Sequence, residues 1–231
     1  MAKGLSIDRR SLLLGAAPVA TAVLSGLAGC SPRSGDGATA YAPTFFSADE
    51  WAFVRAAVGR LIPSEGPGPG GIEAGVPEFI DRQMEMPYGH GAYFYLAGPF
   101  LTDVPPSLGY QLRYAPREIY RLGIAAANVE ARKTLGKTFA ELPAGDQDRL
   151  LDGMEKNAVR FTTVPAPVFF GQLLANAKEG YFADPLYGGN RGMAAWKWIG
   201  FPGARADFTD WIDQAGRAYP YGPVAISGAR G

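Results

Sequence analysis

The chain has a single cysteine, Cys30, and a single histidine, His90, among its 231 residues. Four-Cys zinc sites, Cys-ligated iron–sulfur clusters and c-type haem attachment through C-x-x-C-H all lack their ligands. No intrachain disulfide can form, and a metal site built from this chain alone would have to be mostly carboxylate. An excess of either charge is also missing, with 22 Lys and Arg against 22 Asp and Glu. A balanced chain offers no broad basic face for nucleic acid. Nor is there an apolar run of the ~20 residues that a membrane-spanning helix needs. The longest candidate, Leu12 to Ala28, is interrupted by Pro18, Thr21 and Ser25. Sustained period-two alternation is absent, so strands should be few.

Glycine and proline are abundant: 31 and 19 residues, more than a fifth of the chain. That is well above the ~12% usual in globular proteins and implies long ordered loops. The hydrophobic fraction of 47% supplies a core. The length suits one domain with a processed leader.

Residues 1–29 have the form of an export signal. Lys3, Arg9 and Arg10 make a positive start and the uncharged stretch from Leu12 follows. The run Ser6-Ile7-Asp8-Arg9-Arg10-Ser11-Leu12-Leu13 resembles a twin-arginine signal, with Asp8 where Ser or Thr is commoner. Leu27-Ala28-Gly29-Cys30 resembles a bacterial lipobox, in which Cys30 is acylated and becomes the first mature residue. Cleavage after Ala38-Thr39-Ala40 is the alternative. Residues 30–44, rich in Ser, Gly, Pro and Ala, read as a flexible tether, and residues 45–231 as one domain. These features place the mature protein in the periplasm, membrane-associated.

The domain reads as all-α, with five to six helices and long loops rich in Gly, Pro and aromatic residues. Ser47 and Glu50 form a capping box, with Phe46 and Trp51 as a hydrophobic staple, ahead of Val54, Val58, Leu61 and Ile62 at helical spacing. Further helices are predicted from Pro77, from Pro116 (with Ile119, Leu122, Ala126 and Val129 inward) and from Asp146. A fifth runs through Val168 to Leu174, with Gly180 as its C-terminal glycine, and a last one covers Phe208 to Ile212.

Three loops stand out. Gly66-Pro67-Gly68-Pro69-Gly70-Gly71 formally satisfies G-x-G-x-x-G, but a Pro-ended helix precedes it and its prolines delete phosphate-binding N–H groups. Pro87 to Pro106 is dense in rings (Tyr88, Tyr93, Phe94, Tyr95, Phe100) and holds His90, a hydrogen-bonded loop residue rather than a catalyst. The third runs from Tyr181 to Gly203. It can be an anion cradle built on Arg191, or a sugar platform with Trp196 or Trp198 for stacking and Asp184, Asn190 and Arg191 for hydroxyls. It can equally be a compact loop in which Arg191 pairs with Asp184. A carboxylate-dependent sugar-active enzyme using Asp184, Asp207 and Asp210 is a further alternative.

The segment Phe182-Ala183-Asp184-Pro185-Leu186-Tyr187-Gly188-Gly189-Asn190-Arg191, continued by Trp196-Lys197 and Ile199-Gly200-Phe201-Pro202-Gly203, resembles the signature of the gluconate 2-dehydrogenase subunit 3 family. Ile62-Pro63, Glu73-Ala74-Gly75-Val76, Gly98-Pro99-Phe100 and Glu118-Ile119-Tyr120-Arg121 extend the resemblance over roughly Phe45 to Gly203. It implies the small, or gamma, subunit of a membrane-bound sugar or sugar-acid dehydrogenase. A large flavoprotein related to glucose–methanol–choline oxidoreductases carries the FAD, and a multihaem cytochrome c, where present, carries electrons onward. The small subunit serves assembly and export. On this reading the chain holds no cofactor, catalytic residue or metal of its own. Its signature loop (Tyr181, Phe182, Asp184, Pro185, Tyr187, Gly188, Gly189, Asn190, Arg191, Trp196, Lys197, Phe201) contributes to the partner interface. A lipid-anchored sugar-binding or scaffold protein without a dehydrogenase is the alternative.

Overall fold

The computed structural model describes residues 41–101 and 104–231; Arg9, Arg10 and Cys30 lie outside the described residues. Among the described residues six α-helices follow in order: α1 (Ala48–Leu61), α2 (Val76–Glu85), α3 (Pro116–Leu135), α4 (Ala144–Glu155), α5 (Ala166–Phe182) and α6 (Ala194–Ile199). Among the described residues there is no strand, only isolated bridges pairing Val224 with Gly203 and with Arg230. The all-α expectation holds. None of the described helices is long and apolar enough to cross a membrane.

The capping box at the start of α1 is present, with Ser47 and Glu50 each accepting the other's backbone N–H. Both residues expected to form the staple pack on further rings. Phe46 meets Tyr120 edge-on at 5.5 Å, whereas Trp51 packs on Tyr41 at 5.6 Å. Pro116 opens α3, where Glu118 accepts the N–H of Ala115 at 2.8 Å. This helix buries Ile119, Tyr120, Gly123, Ile124, Ala127 and Ala131, while Val129 is 62% exposed. Its inward stripe is thus rotated from the Leu122–Ala126–Val129 line. The reason is Gly123: its missing side chain lets the Phe169 ring of α5 reach the α3 backbone.

Helix α5 touches all five others. Its sequence is apolar around most of its circumference, as a central helix requires. Phe169 and Leu173 are fully enclosed, and Phe169 lies within 6.1 Å of the rings of Phe53 and Tyr120. The helix continues to Phe182, past the expected stop at Gly180. Gly180 is buried in it because the Phe79 ring of α2 occupies the space a side chain would need. The Phe208–Ile212 stretch forms only a 3₁₀ turn, Thr209–Trp211, and α6 appears inside what reads as loop. Buried Asn176 of α5 ties the two halves of the core together. It accepts from the Tyr120 hydroxyl at 3.1 Å and donates to that of Tyr88 at 3.0 Å.

Candidate functional site

The loop after α5 begins as a continuation of the core. Tyr181 is buried and donates to the carbonyl of Pro69 at 2.7 Å, which joins the loop to the Gly/Pro-rich turn after α1. Burial, and then the charge of Glu73, push the Tyr181 hydroxyl above its ordinary pKa. Phe182 stands edge-on to Tyr181 and is 44% exposed, and its carbonyl accepts the Trp196 indole N–H at 2.8 Å.

Asp184 is 7% exposed and uses both carboxylate oxygens internally. One accepts the N–H of Leu186 at 2.9 Å and so caps the short turn Pro185–Tyr187. The other accepts the N–H of Ile226 at 2.7 Å. Arg191 does not pair with Asp184. It lies 3.3 Å from the carboxylate of Glu78, a buried residue in the first turn of α2. A charged pair at a helix N-terminus suits Glu78, whose carboxylate also complements the helix dipole.

Gly188, Gly189 and Asn190 seat the loop against the rest of the domain. Gly188 has φ 101°, and its carbonyl abuts Gly75, which itself has φ 76° at the start of α2. Asn190 is completely enclosed in the left-handed region, and its side-chain oxygen accepts the N–H of Ala195 at 3.0 Å, holding the entry to α6. The N–H of Arg191 donates to the carbonyl of Ala74 at 3.0 Å. Trp196 packs edge-on to Phe201 at 5.1 Å and forms a small second core with Met193 and Ala225. Lys197 is exposed.

Of the residues considered for hydroxyl binding, Asp184 spends both oxygens and Asn190 its side-chain oxygen on backbone N–H groups, and Trp196 faces inward, while Trp198 and Arg191 are exposed. Asp207 accepts from the N–H of Thr209, which lowers its pKa, and is likewise engaged in a local turn. In the ring-rich stretch, Tyr93 and Tyr95 are exposed, while Phe94 packs between Tyr88 and Tyr110. His90 is hydrogen-bonded to the guanidinium of Arg117.

Sequence reading missed Glu78, Ala225 and Ile226. Glu78 carries a readable signal, since it follows Val76-Pro77 at a helix start. The other two lie in a loop-like stretch with no periodicity to mark them.

Fold and site together define a small helical domain arranged around one firmly held loop. The chain belongs to the gluconate 2-dehydrogenase subunit 3 family, whose model matches residues 48–203. Comparison with curated proteins and with solved structures returned no match. Residues 204–231 lie beyond the matched region, yet they supply the partner of Asp184 and part of the small second core.

Proposed function

We propose that this chain is the non-catalytic small subunit of a membrane-associated, FAD-dependent dehydrogenase of sugars or sugar acids in the periplasm. It docks on the large flavoprotein through its signature loop, and its twin-arginine signal exports both. A multihaem cytochrome c, where the complex has one, takes the electrons, and acylated Cys30 tethers the assembly to the membrane.

One observation carries this reading. The loop commits Asp184 and Asn190 to its interior and leaves six large apolar side chains at its surface, beside exposed Arg191 and Lys197. Phe182, Leu186, Tyr187, Trp198, Ile199 and Phe201 are each between 44% and 56% exposed. Long-lived interfaces bury on the order of 2,000 Å² or more and enrich aromatic residues at their centre. Each fully buried ring contributes roughly 1.5–3 kcal/mol, so a few suffice for a permanent complex. Twin-arginine export of folded protein fits a partner whose flavin is inserted before translocation.

Co-expression of the tagged full chain with the flavoprotein subunit tests the reading. Flavin absorbance should co-purify with the chain, and Leu186→Ser combined with Ile199→Ser, the two most exposed of these apolar side chains, should reduce it at least tenfold without lowering the Tm. Deleting residues 1–29 should strand the flavoprotein in the cytoplasm. A flavoprotein exported normally without those residues would refute co-export.

A further inference from the structure

Asp81 is completely buried, and its carboxylate gathers five donors from the segment ahead of α1. These are the Tyr41 hydroxyl at 2.7 Å, the N–H and hydroxyl of Thr44 at 2.8 and 3.0 Å, and the N–H groups of Phe45 and Phe46 at 3.1 and 3.0 Å. The chain is thus fixed to α2 from Tyr41 onward. Only residues 31–40 separate that point from Cys30. Even fully extended, such a stretch spans no more than about 40 Å.

Around this anchorage lies a cationic and aromatic face. The guanidinium of Arg82 stands 5.6 Å from the centre of the Tyr41 ring, Tyr41 packs on Trp51, and the guanidinium of Arg55 stands 6.0 Å from the centre of Trp51. Both arginines are exposed and among the described residues neither forms an ion pair, while Tyr41 and Trp51 are half-buried. The carboxylate of Asp81 is enclosed by its five donors. Indole rings favour the headgroup level of a bilayer, and arginines favour anionic headgroups.

We propose that this face, Trp51, Arg55 and Arg82, is a lipid-facing surface that sets the domain against an anionic bilayer, with Tyr41 as the support beneath Trp51 and Arg82. The inference rests on the proposed acylation of Cys30 for its distance argument. Its Arg82 end borders the signature loop, where the guanidinium lies against Gly188, so the test must separate lipid from flavoprotein.

The test uses the full chain with Cys30→Ala, so that any lipid binding is the domain's own, and sedimentation with vesicles of equimolar phosphatidylglycerol and phosphatidylcholine. Binding should exceed that to pure phosphatidylcholine vesicles. It should weaken at least ~30-fold in Arg55→Glu/Arg82→Glu, from about fivefold for each arginine lost at an anionic surface, with repulsion of the two glutamates adding to it. Arg55→Lys/Arg82→Lys should retain it, as should the charge control Arg132→Glu, all with unchanged thermal melts. Equal binding to both vesicle types, an equal loss in Arg132→Glu, or no loss in the double reversal would overturn the proposal. So would a double reversal that keeps vesicle binding but loses the flavoprotein, since the face would then belong to the protein interface. An intact mass of the native chain without acyl groups would count against the tether alone, and the vesicle result would still decide this surface.

Discussion

Gly189 lies against the carbonyl of Gly180: a β-carbon at position 189 would sit 2.0 Å from that oxygen. The signature loop and the last turn of α5 are therefore in backbone-to-backbone contact, and neither side has a flexible side-chain end that could give way. Gly189→Ala should destabilise the domain by about 3 kcal/mol through overpacking. A thermal melt should show a fall of roughly 6–12 °C for a chain of this size. An unchanged Tm would mean the loop is not seated on α5.

The bond from Ile226 to Asp184 closes residues 204–231 over the loop. Asp184→Ala leaves two backbone N–H groups without their acceptor and should cost about 2–3 kcal/mol. The more telling readout is limited proteolysis, which should cut faster within residues 204–231. Intrinsic fluorescence should also move to longer wavelength as Trp196 meets water. Unchanged cleavage in the variant would show that the segment is held by other contacts.

Two helix glycines should respond to alanine in opposite directions. A β-carbon at Gly123 would lie 2.2 Å from the Phe169 ring, whereas one at Gly171 meets nothing within 4 Å. Gly123→Ala should destabilise by about 1–3 kcal/mol. Gly171→Ala should stabilise by about 0.5–1 kcal/mol, because alanine is the better helix former. Urea denaturation of the two variants side by side checks both signs.

The Tyr41 hydroxyl is pushed up to about 12, first by burial and then by its hydrogen bond to Asp81 and that carboxylate's charge. In the unfolded chain the phenol titrates near 10. The folded state therefore favours the neutral phenol. This stabilisation is complete below pH 10 and is lost as the pH rises from 10 through 12. Tyr41→Phe should be less stable than the parent at neutral pH and should lose stability less steeply over that window. Urea midpoints measured between about pH 9 and pH 12 decide it, and parallel curves would show that Tyr41 is not linked to folding.

Local rules made much of the helical scaffold legible. Ser47 with Glu50, Pro77 and Pro116 mark helix starts through chemistry confined to a few neighbouring residues. The same rules misplaced the end of α5 and the inner stripe of α3, where Gly180 and Gly123 look like a stop and a gap. Each is a contact surface for a phenylalanine on another helix, a relationship that one chain segment cannot reveal. The importance of the Tyr181–Gly203 loop was readable from its composition, but its internal wiring was not. Arg191 chose Glu78, more than a hundred positions earlier, over nearby Asp184, because the latter's oxygens were already committed to Leu186 and Ile226.

Ile226 is 42 positions downstream of Asp184. At ~5–20 residues per second, the ribosome adds the latch roughly 2–8 s after the carboxylate it fastens. The loop is therefore left unfinished while the nascent polypeptide is still being extended. Its surface takes final form only after residue 226 has been added, so the latch orders the folding of this loop behind that of the helices before it.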